Sequence, residues 1–327
     1  MSKIKINKSH FATYFSLAVI VCLIIIFTIM EKSFLNGSNV NNLLSDTAPL
    51  MVMAAGMTPV ILLGSIDLSV GALCSVTNVL VVSVIMNFKD SIYTDWFILT
   101  VALAVTFIFS ILAGILLGVI HVKLKVPSFI ASLAFMSIWN SAALMISNSP
   151  IAIPKKLWGT INWYKISVGS AGLPLIIAVL LIVVYFIVLT KTPIGRGIYA
   201  VGGNERAARM SGISVDKIKI IVFAINSFCA SLGAVFLMAK AKSCAPTVGD
   251  SFTLMAISSV VLGGTALIGG NGNILNTILG VFIVSIIKNG MNIASINVYW
   301  QKVVFGVILL LAIAINADRS ARSSIVK

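Results

Sequence analysis

Three short stretches of this 327-residue chain carry residue types that could do more than pack. The first is Asn204, Glu205, Arg206, Ala207, Ala208, Arg209, Met210, Ser211, Gly212 and Ile213, which follows Gly202-Gly203. Asn204 is of the N-cap type, Glu205 is an acid where the helix dipole favours one, and Gly212 would stop the helix. These signals predict about two turns of helix, with Ala207 and Ala208 giving a smooth surface. A helix of that length is not stable alone. It is either a solvated connector or an element that docks onto something.

The second stretch breaks an apolar run with Thr58, Pro59, Gly64, Ser65, Asp67, Ser69 and Gly71. Asp67 is the one acid within the apolar parts of the chain. A carboxylate in hydrocarbon costs at least a few kcal/mol unless it meets water, partners or an interface. It is read either as a pathway or gating residue or, preferred, as a cap accepting the N–H groups of Ser69 and Val70. The third stretch holds Gly263, Gly264, Thr265, Gly269, Gly270 and Asn271, again interrupting an apolar run. Paired interruptions in two halves of a transporter point to internal pseudo-symmetry and to the solute route, whereas small residues also permit close helix packing. Both readings stand. Gly270-x-Gly272 lacks the third glycine and the strand context of a dinucleotide fingerprint.

Other chemistry has little support. No G-x-x-x-x-G-K-[ST] sequence occurs, so no phosphate loop of that kind is present. His10 and His121 have no second ligand at metal spacing. Cys22, Cys74 and Cys229 lie in apolar runs and read as core residues; Cys244 lies in a short loop and reads as a free thiol. Asn36-Gly37-Ser38 fits the glycosylation pattern but reads as a polar turn beside a span. No proton-relay series of acids and histidines occurs, and no cofactor is implied.

The elements that must position these stretches are apolar runs of roughly twenty residues. Hydrophobic residues make up 59% of the chain and charged residues 10%, against about 25% charged in soluble domains. A bilayer core about 30 Å thick needs about 20 apolar residues per helix, and backbone groups there must pair within the helix or in a closed barrel. The runs are continuous rather than alternating, which argues against a β-barrel. The chain reads as all-α: one polytopic domain over 1–327 of about ten transmembrane helices in two pseudo-symmetric halves. The spans are expected near 11–30, 48–64, 68–87, 96–120, 128–146, 174–190, 219–239, 252–269, 274–287 and 298–316, with 252–269 and 274–287 the least well defined.

The net charge of +14 comes from Lys and Arg between the runs, as at a lipid interface, and not from one nucleic-acid-binding patch. Lys3, Lys5 and Lys8 precede a first run that lacks a cleavage site. It reads as a retained helix with its N-terminus cytoplasmic. Alternation then places 65–67, 121–127, 191–218 and the C-terminal tail inside. That puts 14 of the 23 basic residues inside, every arginine among them, and 9 outside or at a boundary, as the positive-inside rule expects.

With these residues in view, the chain resembles the membrane permease subunits of ribose-type ABC sugar importers. The resemblance rests on 54–71, on 195–213, on 262–272 and on Val298-Tyr299-Trp300-Gln301-Lys302. It implies a permease working with a second copy or a related permease, a cytoplasmic ATPase and an extracytoplasmic sugar-binding protein. On that resemblance, 204–213 would be the coupling helix. Glu205, Arg206 and Arg209 would make polar contacts, and Ala207, Ala208 and Met210 would pack; the segments around Asp67 and 263–271 would line or support the pathway. Two positions depart from the pattern: Pro59 stands where family members often carry a bulky apolar residue, and Ser65 where they carry glycine. The sugars of the family include ribose, xylose, galactosides, other pentoses, polyols and furanone-like sugars, and no residue selects among them. The competing readings are an autonomous facilitator for small polar solutes and a non-transporting scaffold.

Overall fold

The computed structural model describes residues 8–168 and 171–316. The two tails, with Lys3, Lys5, Arg319, Arg322 and Lys327, lie outside the described residues. The helices run α1 (Lys8–Met30), α2 (Gly37–Leu62), α3 (Val70–Asn87), α4 (Asp95–Lys123), α5 (Ser128–Ile146), α6 (Trp158–Ile161), α7 (Leu173–Lys191), α8 (Pro193–Gly203), α9 (Glu205–Met210), α10 (Val215–Ala241), α11 (Phe252–Leu262), α12 (Ile274–Ile293) and α13 (Val298–Asn316). Seven of them, α2–α5, α7, α10 and α12, are long and apolar enough to cross a membrane, and α1, α11 and α13 contribute shorter apolar stretches.

All ten expected spans meet a helix, but not all are full spans. The expected span 252–269 is helical only to Leu262; eleven residues at ~1.5 Å each make a half-helix of about 16 Å. The chain then turns at Gly263-Gly264, where Gly264 has φ +85°. Helix α2 begins at Gly37, well before its apolar run, and α12 continues to Ile293.

Burial follows residue type. Every residue of α2 from Thr47 to Leu62 is buried, and its Gly, Ala, Thr and Met side chains let neighbours approach closely. By contrast α7 is Leu, Ile and Val almost throughout. It buries only one stripe, Leu175, Ala178, Ile182, Tyr185 and Leu189, and exposes Leu180, Val184 and Ile187 on the face a lipid would cover. Helices α4 and α10 pack backbone to backbone. A Cβ on Gly114 would lie 2.5 Å from the Phe223 carbonyl oxygen, and Ser110 bonds Ser231 at 2.9 Å. At the opposite end from α9, β1 (Ile151–Ala152) pairs antiparallel with β2 (Ser243–Cys244), and Lys242 lies 4.0 Å over the Trp158 ring. Cys244 is a free thiol, as read, but buried in this pairing; Cys22, read as a core residue, is instead exposed on α1. His121 is held by its own loop, its Nδ1 2.7 Å from the Val126 carbonyl.

Candidate functional site

The loop 191–218 is helical for most of its length. Thr192 caps α8, its hydroxyl accepting the Gly195 N–H at 3.3 Å, and Pro193 occupies the first turn. Helix α9 starts as expected: the Asn204 side chain accepts the Ala207 N–H at 3.0 Å. It stops at Gly212, where Ile213 N–H returns to the Ala208 carbonyl at 3.1 Å. Ala208 is buried against the chain's own core, and Ile213 is partly buried, so neither faces outward. Glu205 and Arg209 are also engaged within the chain. Lys219 reaches Glu205 at 2.8 Å, and Arg209 reaches Asp216 at 2.7 Å and Glu205 at 3.5 Å. The hydrogen bond from Lys219 holds the Glu205 carboxyl below its ordinary range. Arg206 and Met210, the latter 84% exposed, are left to face away, beside the exposed Asn204, Ala207, Ser211 and Gly212.

Helix α8 fastens this small helix to both breaks. A Cβ on Gly202 would lie 1.8 Å from the Leu62 carbonyl oxygen and 2.6 Å from the Gly270 nitrogen. Gly270 N–H itself donates to that Leu62 carbonyl at 2.8 Å, and the Tyr199 hydroxyl donates to the Gly272 carbonyl at 3.0 Å. The end of α2, the turn at 268–272 and α8 thus form one block under α9. The turn 268–272 therefore shares the face of 65–67 and 191–218, a further inward region that the alternation count left out.

The two breaks repeat one geometry. Ser65 N–H returns to Val60 and Gly64 N–H to Ile61; Thr265 N–H returns to Val260 and Gly264 N–H to Val261. Gly64 and Gly264 both take positive φ, +71° and +85°, which only glycine adopts without strain. Beyond the first break, Asp67 is 1% exposed. Its Oδ1 accepts the Ser69 N–H at 2.8 Å and the Ser69 hydroxyl at 2.6 Å; its Oδ2 accepts the Asn226 amide at 2.9 Å. Only the Ser69 part of the expected cap is made: among the described residues Asp67 takes no bond from the Val70 N–H, Ser69 itself stands at the N-cap of α3, and the other partner of Asp67 comes from the middle of α10. The starts of α3 and α11 meet here too. Gly71 N–H donates to the Thr253 hydroxyl at 2.9 Å, and a Cβ on Gly71 would lie 2.4 Å from the Gly249 carbonyl oxygen. The Asp67 carboxyl group lies just before the N-terminus of α3, the helix end whose free N–H groups and dipole suit a carboxyl oxygen.

The remaining candidates lie among contacts within the chain. Thr58 bonds Ala54 at 2.7 Å and meets Thr277 of α12 at 3.0 Å, and Pro59 lies in the last turn of α2. A Cβ on Gly263 would strike the Asn276 carbonyl, Gly269 packs against Gly64, and the Asn271 carbonyl accepts the Ala266 N–H at 2.9 Å. Ser65 and Thr265 are buried. Sequence reading missed α8, Asn226 and Thr277. Only α8 left a local signal, the Thr192-Pro193 start.

Residues 39–313 match the family described as branched-chain amino acid transport system / permease component. The chain belongs to this permease family. It is 36% identical over 300 residues to the ribose import permease protein RbsC of Bacillus subtilis, covering 91% of each chain. The same identity holds over 309 residues with RbsC of Escherichia coli K12, covering 92% of each. The xylose transport system permease protein XylH of Escherichia coli K12 is 29% identical, covering 97% of this chain and 95% of that protein. No solved structure matches the chain. As a family permease with seven long apolar helices, it is a multi-pass protein of the inner membrane.

Proposed function

We propose that the chain is the membrane-spanning subunit of an ATP-driven importer of a monosaccharide, ribose or a related simple sugar. A separate ATPase binds α9, a sugar-binding protein delivers solute at the opposite face, and a second copy or a related permease completes the channel. The chain itself moves solute and leaves ATP hydrolysis to its partner. The observation that carries this reading is the block made by Gly202, Leu62 and Gly270. A push on the outward face of α9, at Arg206 and Met210, reaches both breaks through backbone contacts that leave no slack. The ribose and xylose permeases named above support the choice of sugar. Reconstitution in proteoliposomes with the cognate ATPase and binding protein tests it. Labelled ribose should accumulate only with internal ATP and both partners. Uptake without them would instead make the chain a facilitator.

A further inference from the structure

The face that carries α9 has a second exposed corner, at the end of α4. That helix is 29 residues long, about 44 Å at ~1.5 Å per residue, more than a hydrocarbon core of about 30 Å requires. Its last turns pack on the start of α10. A Cβ on Gly118 would lie 2.9 Å from the Ile220 Cα. Lys123 is near enough for its charge to bear on Asp216, which is itself bonded to Arg209 of α9. The end of α4 therefore stands beside α9, at its level. The corner that follows is fixed: Leu124 N–H donates to the Ile120 carbonyl at 3.1 Å, and His121 Nδ1 lies 2.7 Å from the Val126 carbonyl.

Three features set this corner apart from an ordinary lipid anchor. The first is the direction of Leu124. Ser110, Leu117 and Leu124 recur every seven residues and so share one side of α4. Ser110 meets Ser231 of α10 on that side, and Leu117 is buried there. The face that lipid would cover is another, with Ile108, Leu112 and Ile115. Leu124 is nevertheless 68% exposed, because α10 begins only at Val215 and nothing continues below it. The second is charge. The acids of 191–218, Glu205 and Asp216, are taken by Lys219 and Arg209, and among the described residues Lys123, Lys125, Arg206 and Lys217 join no ion pair. The third is backbone. Lys125 has φ +54° just beyond the helix, where glycine is usual; Gly212 fills the like place after α9 at φ +80°. A lysine is held there against strain, and such strain gathers at functional positions. Leu124 between Lys123 and Lys125 repeats the make-up of Met210 beside Arg206: an exposed apolar tip with unpaired basic groups. A surface that fits both is apolar and rimmed by carboxylates.

We propose that Lys123-Leu124-Lys125 is a second contact for the ATPase, with Leu124 packing on an apolar patch and the two lysines facing acidic side chains. The proposal rests on the importer reading and adds to α9 a contact on a different helix. The test uses the full-length permease in phosphatidylcholine nanodiscs, with and without its ATPase. Leu124→Cys and, separately, Met210→Cys are placed in a Cys22→Ser chain, whose other cysteines are buried. An impermeant maleimide should label both thiols in the free permease and neither once the ATPase is bound. Protection of Met210→Cys alone would overturn the second contact and leave the importer reading standing. Protection of neither would end both. Protection of Leu124→Cys by added phosphatidylglycerol without the ATPase would assign the corner to lipid headgroups and overturn it too. Leu124→Asp should weaken ATPase binding about tenfold or more at an unchanged melting temperature. Lys125→Gly should melt higher than the parent yet bind the ATPase more weakly, opposite shifts that a merely structural corner would not give. Parent affinity in both variants would also overturn the proposal.

Discussion

Gly202→Ala should uncouple the permease, and Gly203→Ala should not. The two glycines are neighbours at the end of α8, yet a Cβ at 202 would lie 1.8 Å from the Leu62 carbonyl oxygen, while one at 203 meets nothing within 4 Å. Ordinary contact starts near 3.4 Å, so the alanine at 202 must part α8 from α2 by roughly 1.5 Å. The Gly270 nitrogen, 2.6 Å from the same point, must give way as well. Overpacking of this kind costs about 1–3 kcal/mol, and more where backbone must move. At about 1.4 kcal/mol per factor of ten, the intact block falls about five- to hundredfold in population. The assay is ATP-dependent sugar uptake in proteoliposomes beside the melting temperature of the purified permease. Uptake should fall about fivefold or more at 202 and stay at the parent level at 203, where alanine replaces the worse helix former. Parent-level uptake and melting in Gly202→Ala would refute the close contact, and equal damage at 203 would show that α8 tolerates no change for some other reason.

Other outcomes follow from the same contacts. Asp67→Ala and Asn226→Ala should each lower the melting temperature, and the double variant should be less destabilised than the sum, with a coupling of about 0.5–3 kcal/mol; strict additivity would deny the 2.9 Å bond between them. Thr58→Val should cost about 1 kcal/mol of stability by leaving the Thr277 hydroxyl without its partner, read as a lower melting temperature. The Glu205 carboxyl is held low, so its bond to Lys219 contributes stability above the ordinary Glu range, near pH 4.3, and loses it as pH falls through its lowered value. Amide exchange over 207–213, corrected for the intrinsic pH dependence, should quicken on that descent and not between pH 6 and 8.

The apolar runs made the helices legible because lipid and protein interior both demand them. Asn204 and Gly212 made α9 legible because caps are local chemistry. Its inward face was not: Ala207 and Ala208 are adjacent alanines, and only the position of α10 decides that Ala208 turns in. Helix α8 reads as loop because its glycines mask the Thr192-Pro193 start, and of those glycines Gly195 allows close contact with α7, Gly197 with Ile218 of α10 and Gly202 with the end of α2. Asn226, Thr277 and Asn289 look like stray polar residues in apolar runs. Their meaning lies in partners 159, 219 and 250 residues away, which no local pattern encodes. The shortening of α11 was foreshadowed by Gly263-Gly264, but a hydropathy window continues across it.

The most direct test of the account is a charge reversal on the one part of α9 that faces away from the chain. Arg206→Glu with Met210→Asp touches no internal bond among the described residues, since the ion pairs of this helix belong to Glu205 and Arg209. The permease should therefore melt as the parent does, while the ATPase no longer co-purifies with it and ATP-dependent uptake is lost. A doubly substituted chain that keeps the ATPase and transports at the parent rate would contradict α9 as the place where ATP hydrolysis is delivered.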